Sequence, residues 1–568
     1  MNQPSPALVA QSAVRRLPRP ALLLLCAAFV IAGFVGRGPW KSADITAFGY
    51  MLELARPAGG AAADWLQPRL LGMAPDADGL LPYWLGAWAL QLAPGGWAAD
   101  FVVRIPFALL LTLTLVATWY GVYHLARGPQ AQPVAFAFGG EAQPADYARA
   151  MADGALLALI SCLGLAQLAH ETTPALAQLC CTALLFYAVA ALPYRTVWPA
   201  LAACAGVVGL ALSGAPGVGT LLGAGGAALC LLDREDGVAR RRKLGWAAAL
   251  AALTLAAALL AAALGQWQWR IGWPPAQGRE WRSIGRLLLW FLWPAWPLAL
   301  WTLWRWRAQL AGGNPGRHLA LPIWFCAVAV ATTAATPASD RSLLLALPAL
   351  AALAAFALPT FQRSIAALID WFTLLFFSGV AFVIWVIWIS MQTGIPRKPA
   401  ANVAKLAPGF EPSFALLPFL VALAATLCWA WVVSWRAGRH RPAIWKTLVL
   451  PAGGTALCWL LLTTLWMPVL DFARSYGPMV AQVASAAGQP RCVEIHGLNR
   501  SQIVAFRYHG GWTLQNATRQ PQCPWLLVDG DAQRSAAHAV DLRQWLLHGA
   551  FRRPTDDNDD VLLYRRAP

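Results

Sequence analysis

The stretch PWKSADITAFGY, Pro39 to Tyr50, comes just after an apolar run from Ala21 to Val35. An acidic residue, Asp44, therefore stands directly beyond the first hydrophobic segment of the chain. The 568 residues around it are 58% hydrophobic and only 12% charged, whereas soluble domains have roughly 25% charged residues. The composition predicts an integral membrane protein with many spans.

The net charge of +17 would also suit a nucleic-acid-binding protein, but most Lys and Arg residues lie in short loops between apolar runs. Such loops mark the cytoplasmic face of a membrane protein. The basic loops 233–243, 305–318 and 435–446 all fall on that face if the N-terminus is cytoplasmic. No small-residue cleavage site follows the first apolar run, so it is predicted to be a retained span and not a signal peptide.

Apolar runs of about 17 to 25 residues can cross a bilayer. We count about thirteen of them and predict an all-α polytopic membrane domain over 1–466. The topology places the loop 37–100, the turn 171–173, the turn 338–341 and the chain after Trp466 on the outer face. The predicted spans are 20–36, 101–126, 152–170, 174–192, 196–212, 215–232, 244–264, 284–304, 319–337, 342–359, 368–389, 414–434 and 447–466.

The last hundred residues or so are more polar, and we predict a small α/β extramembrane domain over 467–568. Residues 476–487 and 535–547 are helix-like. Strand-like patterns occur in CVEIHGL (492–498), QIVAFRYH (502–509), WLLVDG (525–530) and VLLYRR (561–566).

Two of the eleven cysteines, Cys492 and Cys523, lie in this outer domain, and the other nine lie in predicted spans. In an oxidising periplasm the two can form a disulfide; the alternative is a pair of free thiols. The sequence has no P-loop, no dinucleotide-binding turn and no His/Cys cluster with metal-ligand spacing. It therefore predicts no metal-ligand cluster and requires no cofactor, and it leaves dependence on a divalent metal open.

The outer loop 37–100 is long, and long loops in compact proteins are usually functional or disordered. Two of its segments, FGYMLELA (48–55) and LLPYWLGAWALQLA (80–93), are apolar enough to lie as helices on the membrane surface. Such a loop can hold acids and bases above a substrate at the interface.

Three segments carry a resemblance to a known family: DITAFGYMLELA (44–55), DWLQPRLLGMAPDADGLLPYWLGAWALQL (64–92) and VVRIPFALLLTLTLVATWYGVYHLAR (102–127). In this order they resemble the N-terminal third of the membrane-embedded C-type glycosyltransferases, in the branch of the aminoarabinose and protein-mannosyl transferases. The resemblance continues weakly in 209–222, in 336–356 and in the C-terminal domain. It covers most of the chain.

The resemblance implies an enzyme of the bacterial inner membrane with a periplasmic C-terminal domain. Such an enzyme transfers a sugar from a polyprenyl-phosphate donor to a lipid, glycan or protein acceptor on the outer face. It has no nucleic-acid partner. The attacking hydroxyl must lose a proton, which a carboxylate accepts, and the departing lipid phosphate needs a cation.

Asp44 aligns with the family's first-loop aspartate, which implies a catalytic role; the alternative is an N-cap on a helix over 45–55. Arg341 lies where the family has a basic residue that binds the donor phosphate. The alternative for Arg341 is a side chain that extends to lipid headgroups.

The sequence also departs from the family pattern. Ile45 stands where an acid often follows the aspartate, and Leu345 stands where a tyrosine is expected. In the family a lysine-containing phrase binds the phosphate; here DADGLLP (76–82) replaces it, which leaves Asp76 and Asp78 as secondary acids or as a solvated turn. Lys41 and Arg69 are further candidates for the donor phosphate, or else interfacial anchors.

A second aspartate expected between the third and fourth spans is absent, and His170 and Glu171 stand nearby. They form a secondary polar site or merely a polar turn.

Because of these departures, two functions other than sugar transfer stay open. An inactive relative would keep the fold as a binding or assembly partner in envelope glycan synthesis. A lipid or glycan transporter should show inverted repeats and ionisable residues at mid-membrane, which this sequence largely lacks.

Overall fold

The structure, a computed structural model, describes residues 5–56, 64–75, 79–232, 239–267, 278–312, 316–336, 340–437, 443–556 and 559–567. The chain is mainly helical up to Ala487 and then alternates strands with short helices. The helices are α1 Arg19–Phe34, α2 Ala43–Ala55, α3 Leu81–Leu92, α4 Ala99–Ala126, α5 Pro144–Ser161, α6 Leu163–Leu168, α7 Pro174–Ala191, α8 Val197–Leu212, α9 Pro216–Leu232, α10 Arg240–Ala263, α11 Gly278–Phe291, α12 Ala295–Arg305, α13 Arg307–Ala311, α14 Arg317–Ala335, α15 Asp340–Leu343, α16 Leu347–Ala357, α17 Arg363–Thr393, α18 Arg397–Leu406, α19 Leu416–Ala437, α20 Val449–Thr464, α21 Met467–Arg474, α22 Gly477–Ala487, α23 Arg500–Tyr508 and α24 Gln533–Ala539.

Eight helices among the described residues are long and apolar enough to cross a membrane, and a pair bent by 88° between α11 and α12 would make nine. The protein is therefore a multi-pass membrane protein, but the count of thirteen spans is not confirmed. Three predicted spans are the shorter apolar helices α1, α8 and α9, of 16, 16 and 17 residues. The predicted span 152–170 breaks between α5 and α6, and α5 carries three charged residues: Asp146, Arg149 and Asp153.

The centre of the bundle is α16, whose eleven residues are all buried. A helix that is apolar all round belongs in such a position. It packs against α5, α12 and α14, while α4 packs against α5 and α7. By contrast, α17 and α19 leave large apolar side chains exposed on their outer faces, as expected of lipid-facing helices.

The C-terminal part contains one five-stranded sheet in the order β2-β1-β3-β5-β4. Strand β1 pairs in parallel with β2 and β3, and β5 pairs antiparallel with β3 and β4. A disulfide joins Cys492 at the start of β1 to Cys523 just before β3. The strands are β1 Cys492–His496, β2 Thr513–Asn516, β3 Trp525–Asp529, β4 Trp545–Arg552 and β5 Asp560–Arg566.

Two predictions for this part are wrong. Residues 502–509 lie almost entirely in the helix α23, because Asn499 and Gln502 form a reciprocal capping box at its start. The predicted helix 535–547 ends at Ala539, and its last residues enter β4. The helix at 477–487 and the strands at 492–496, 525–529 and 560–566 agree with the sequence patterns.

The helix α2 lies against α23 of the C-terminal part. The two helices approach so closely that a Cβ on Gly49 would come 2.1 Å from Val504 Cγ2. Thr46 and Ser501 share a hydrogen bond of 2.9 Å, and Arg507 forms an ion pair of 2.8 Å with Glu53. This packing holds α2 in place, and Asp44 with it.

Candidate functional site

Asp44 lies in the first turn of α2 and is 1% exposed. One of its carboxylate oxygens, Oδ2, accepts from Arg37 Nη1 at 3.0 Å and from the Trp40 backbone N–H at 3.1 Å. The other, Oδ1, accepts from both the backbone N–H and the hydroxyl of Thr172, at 2.7 Å each. Four donors therefore surround this carboxylate, and they come from two distant parts of the chain.

The surroundings of Asp44 favour its charged form. Burial alone would raise its pKa, but the Arg37 guanidinium and the hydrogen bonds from Thr172 and Trp40 outweigh burial and hold the pKa below the usual value. The alternative role as an N-cap is wrong, because α2 begins at Ala43 and Asp44 bonds outside its own helix. Asp44 instead ties the start of α2 to the turn after α6.

Arg37 is the partner that sequence reasoning missed. Its Nη2 donates to the carbonyl of His170 and its Nε donates to the carbonyl of Gly33 at 3.1 Å. The guanidinium also lies 4.5 Å from the centre of the Trp40 ring. A basic residue seven positions before Asp44, at the end of an apolar run, is a signal that could have predicted the pair.

Glu171 and Arg341 form a second ion pair next to the first. Arg341 Nη2 lies 2.7 Å from Glu171 Oε2, although 170 residues separate them. Glu171 is 6% exposed, and its other oxygen accepts a long hydrogen bond of 3.4 Å from Gln167. Burial raises its pKa above the usual value; Arg341 opposes this shift, and the nearby charge of Asp44 adds to it. Its carboxylate is therefore easier to protonate than that of Asp44.

The side chain of His170 is buried in the helical bundle. It is 1% exposed and lies among the rings of Phe29, Phe34 and Trp459. Its Nε2 lies 3.0 Å from the carbonyl of Phe29, and its Nδ1 contacts the carbonyl of Ala166. The structure thus brings Asp44, His170, Glu171 and Arg341 to one turn, with the His170 side chain turned into the bundle.

Lys41 is engaged elsewhere. Its Nζ contacts Asp556 and lies 3.4 Å from Asp559, both in the C-terminal part. Arg69 is exposed and bonds within its own loop, to the Gly72 carbonyl at 3.3 Å and to Gln67 at 3.2 Å. Neither residue contacts the Asp44 cluster.

The predicted acids Asp76 and Asp78 lie outside the described residues. Among the residues that are described, no group of three or more His, Cys, Asp or Glu could hold a metal ion.

A polar cavity of about 390 Å³ opens between the start of α2 and the C-terminal part. Lys41, Ser42 and Ala43 line one wall, and Asp529 and Asp531 lie on the other. The Asp44 carboxylate is not part of the lining, because it points to Thr172.

This arrangement of helices and sheet is shared with solved structures. The structure of ArnT from Cupriavidus metallidurans in the apo state matches with a TM-score of 0.60, 14% identity, and coverage of 96% of this chain and 98% of that chain. The chain has the fold of ArnT. A second ArnT structure, bound to undecaprenyl phosphate, matches with a TM-score of 0.59, 13% identity and the same coverage. No protein-family model and no curated protein sequence matches the chain.

The likeness to ArnT confirms, at the level of the fold, the resemblance read from the sequence. It extends over the C-terminal part as well, since almost the whole of both chains is covered. The positions of Asp44 and Arg341 are thus set within an ArnT fold, and both residues contact the same turn, at Glu171 and Thr172.

Proposed function

We propose that the protein is a membrane glycosyltransferase that moves a sugar from a polyprenyl-phosphate donor to an acceptor. The observation that carries the proposal is that two ion pairs meet at the turn 171–172 of a chain with the ArnT fold. These ion pairs are Asp44 with Arg37 and Glu171 with Arg341. One ArnT structure binds undecaprenyl phosphate, which supports a donor of this class. A carboxylate beside a guanidinium is the pair of groups that this transfer needs.

We assign acceptance of the proton to Glu171. A general base works best when its pKa approaches the operating pH, and burial moves the pKa of Glu171 in that direction. Asp44 has a lowered pKa, and four donors surround its oxygens, so it would have to lose a donor before it could take a proton. In this proposal Asp44 positions the turn at Thr172. The competing assignment is the one predicted from the sequence, in which Asp44 itself is the base.

Arg341 is proposed to bind the donor phosphate. Its side chain is 32% exposed, so a phosphate can reach it, but Glu171 now holds it. A donor phosphate therefore competes with Glu171 for the guanidinium and releases the carboxylate. The acceptor hydroxyl oxygen then forms a bond to the anomeric carbon of the sugar. The bond between that carbon and the phosphate oxygen breaks, and its electron pair goes to the phosphate. The hydroxyl proton moves to Glu171.

We also propose that residues 1–466 form the transferase membrane domain and that 467–568 form a domain on the periplasmic face of a bacterial inner membrane. The basic loops support this orientation. The disulfide between Cys492 and Cys523 supports an oxidising compartment.

An inactive relative is the second candidate. It is favoured by the closed environment of Asp44 and by Lys41, whose charge Asp556 and Asp559 neutralise. In that case the same fold would serve as a binding or assembly partner, with Arg37 and Asp44 as a structural pair.

The test is transfer by the purified full-length protein from radiolabelled polyprenyl-phosphate sugars to lipid, glycan and protein acceptors. We expect labelled product with the wild type and with Glu53→Gln, a control that removes a carboxylate from another outer ion pair. We expect loss of product with Glu171→Gln. No product with any donor from well-folded wild type would reject the transferase and favour the inactive relative.

A further inference from the structure

A second cavity lies at the other end of the bundle. It has a volume of about 590 Å³ and is lined by residues of α4, α7 and α8 and the turn between α7 and α8. At the first residues of α4, Asp100 accepts a hydrogen bond of 3.0 Å from Tyr508 of the C-terminal part. On the same 28-residue helix the cavity lining begins at Leu113 and ends at Arg127, about 20 to 40 Å from Asp100 at 1.5 Å per residue. It is therefore separate from the Asp44 cluster.

The cavity runs along the apolar surface of the bundle. Its lining on α4 extends from Leu113 to Arg127, which corresponds to about 21 Å of helix. Half of a bilayer's hydrocarbon core is about 15 Å thick. Trp198 and Leu201 on α8 also line it and are 64% and 57% exposed. The dimensions suit the headgroup and part of a chain of one lipid that enters sideways from the bilayer.

Two arginines lie where a headgroup would sit. Arg127 and Arg195 both line the cavity and are exposed. Within the described part of the chain, neither forms an ion pair with a carboxylate. The Arg127 guanidinium lies 5.0 Å from the Tyr194 ring and 5.8 Å from the Tyr123 ring, which hold it in place. Unneutralised arginines of this kind suit a phosphate, which guanidinium groups bind strongly.

A buried histidine gives an independent sign of a ligand. His124 lines the cavity, is only 4% exposed and stacks on Tyr194 at 5.3 Å between ring centres. Its Nδ1 has no hydrogen-bond partner among the described residues. Leaving such an atom without a partner costs free energy, and a phosphate oxygen can accept its proton.

We propose that this cavity binds one anionic phospholipid, with its phosphate on Arg127 and Arg195 and a hydrogen bond from His124. The absence of a carboxylate among the lining residues selects an anionic headgroup over a zwitterionic one. The apolar groove below it takes an acyl chain. The site is distinct from the proposed donor site at Arg341.

The test is native mass spectrometry of the full-length protein in detergent, titrated with phosphatidylglycerol or with phosphatidylcholine. We expect one phosphatidylglycerol to bind with at least about tenfold higher affinity than phosphatidylcholine, because the choline cation would meet two arginines and no carboxylate in the lining. The double variant Arg127→Gln with Arg195→Gln should remove this preference. Arg240→Gln with Arg242→Gln, which changes two exposed arginines outside the cavity, should retain it.

A second variant tests the groove without changing charge. Ala205→Trp fills the apolar part of the cavity and should weaken phosphatidylglycerol binding by about tenfold. Inorganic phosphate, added as a competitor for the two arginines, should displace the lipid at the same concentration in the variant and the wild type. The proposal is overturned if the two double variants lose affinity equally, which would indicate a nonspecific headgroup contact. It is also overturned if Ala205→Trp has no effect, which would indicate a site for free phosphate only.

Discussion

The two ends of the helical bundle differ in whether their arginines are paired with carboxylates. At the end that contains the turn 170–173, Arg37 is paired with Asp44 and Arg341 with Glu171. At the other end, Arg127 and Arg195 have no carboxylate partner within the described residues. A ligand can bind directly to unpaired arginines, whereas at the Asp44 end it must first displace a protein carboxylate. At the Asp44 end ligand binding therefore requires the exchange of one ion pair for another, and at the other end it does not.

The largest expected effect is that of Glu171→Gln on turnover. Loss of a general base lowers the rate by about a hundred- to ten-thousand-fold, and Gln keeps the size of the side chain. Because burial raises the pKa of Glu171, wild-type turnover should rise with pH through a value above the usual glutamate pKa. Initial rates from pH 4 to 9 check this, and the residual activity of the variant should lack the rise.

A different result would favour Asp44 as the base, as the family resemblance implies. If Asp44→Asn, in protein shown to be folded, loses the pH-dependent rise while Glu171→Gln retains it, then Asp44 is the base. The roles of the two acids would then be exchanged, with Asp44 accepting the proton and Glu171 positioning Arg341.

The next largest effect concerns the stability of the buried pair. Asp44→Asn leaves Arg37 buried without a counter-charge, and breaking a buried pair costs about 3 to 5 kcal/mol. The sequence alone suggests a mild change, since Asn caps helices well, but the ion pair with both side chains 2% exposed changes this expectation. Thermal unfolding in one detergent measures the loss.

The double variant Arg37→Met with Asp44→Asn is the control for this effect. It removes both charges and keeps an acceptor for Thr172, so most of the lost stability should return. An Asp44→Asn protein as stable as the wild type would show that the pair does not stabilise the turn 170–173.

An intermediate effect is expected from the disulfide of the C-terminal part. The cysteines are separated by 31 residues, and closing a loop of that size is worth roughly 4 kcal/mol. Cys492→Ser with Cys523→Ser in the full chain should make the C-terminal part the first region cut in limited proteolysis. Unchanged proteolysis relative to the unreduced wild type would contradict a stabilising role.

The smallest effect is expected from Gly49→Ala in α2. The new Cβ would meet Val504 Cγ2 at 2.1 Å, and overpacking of this kind costs about 1 to 3 kcal/mol. Gly217→Ala is a matched control, because a Cβ there meets nothing within 4 Å. Adding Val504→Ala to Gly49→Ala should restore the unfolding temperature, and no rescue would mean that the strain lies elsewhere.

The sequence predicted those features that depend on local pattern. Apolar run length predicted a helical membrane protein, and the ordered phrases around Asp44 predicted the fold it shares with ArnT. Local pattern could not show that Glu171 and Arg341 meet across 170 residues, nor that Arg37 neutralises Asp44. It also failed at 502–509, where a short apolar run fits either a strand or a buried helix. There the decisive signal was the capping pair Asn499 and Gln502.

The central claim is that a donor phosphate takes Arg341 from Glu171. The most direct measurement is the affinity for undecaprenyl phosphate of the purified wild type, Glu171→Gln and Arg341→Gln. We predict that Glu171→Gln binds the carrier several-fold more tightly than the wild type, because the guanidinium no longer has a charged partner. Arg341→Gln should bind about tenfold more weakly. Equal affinity in the wild type and Glu171→Gln, or unchanged binding by Arg341→Gln, would contradict the account.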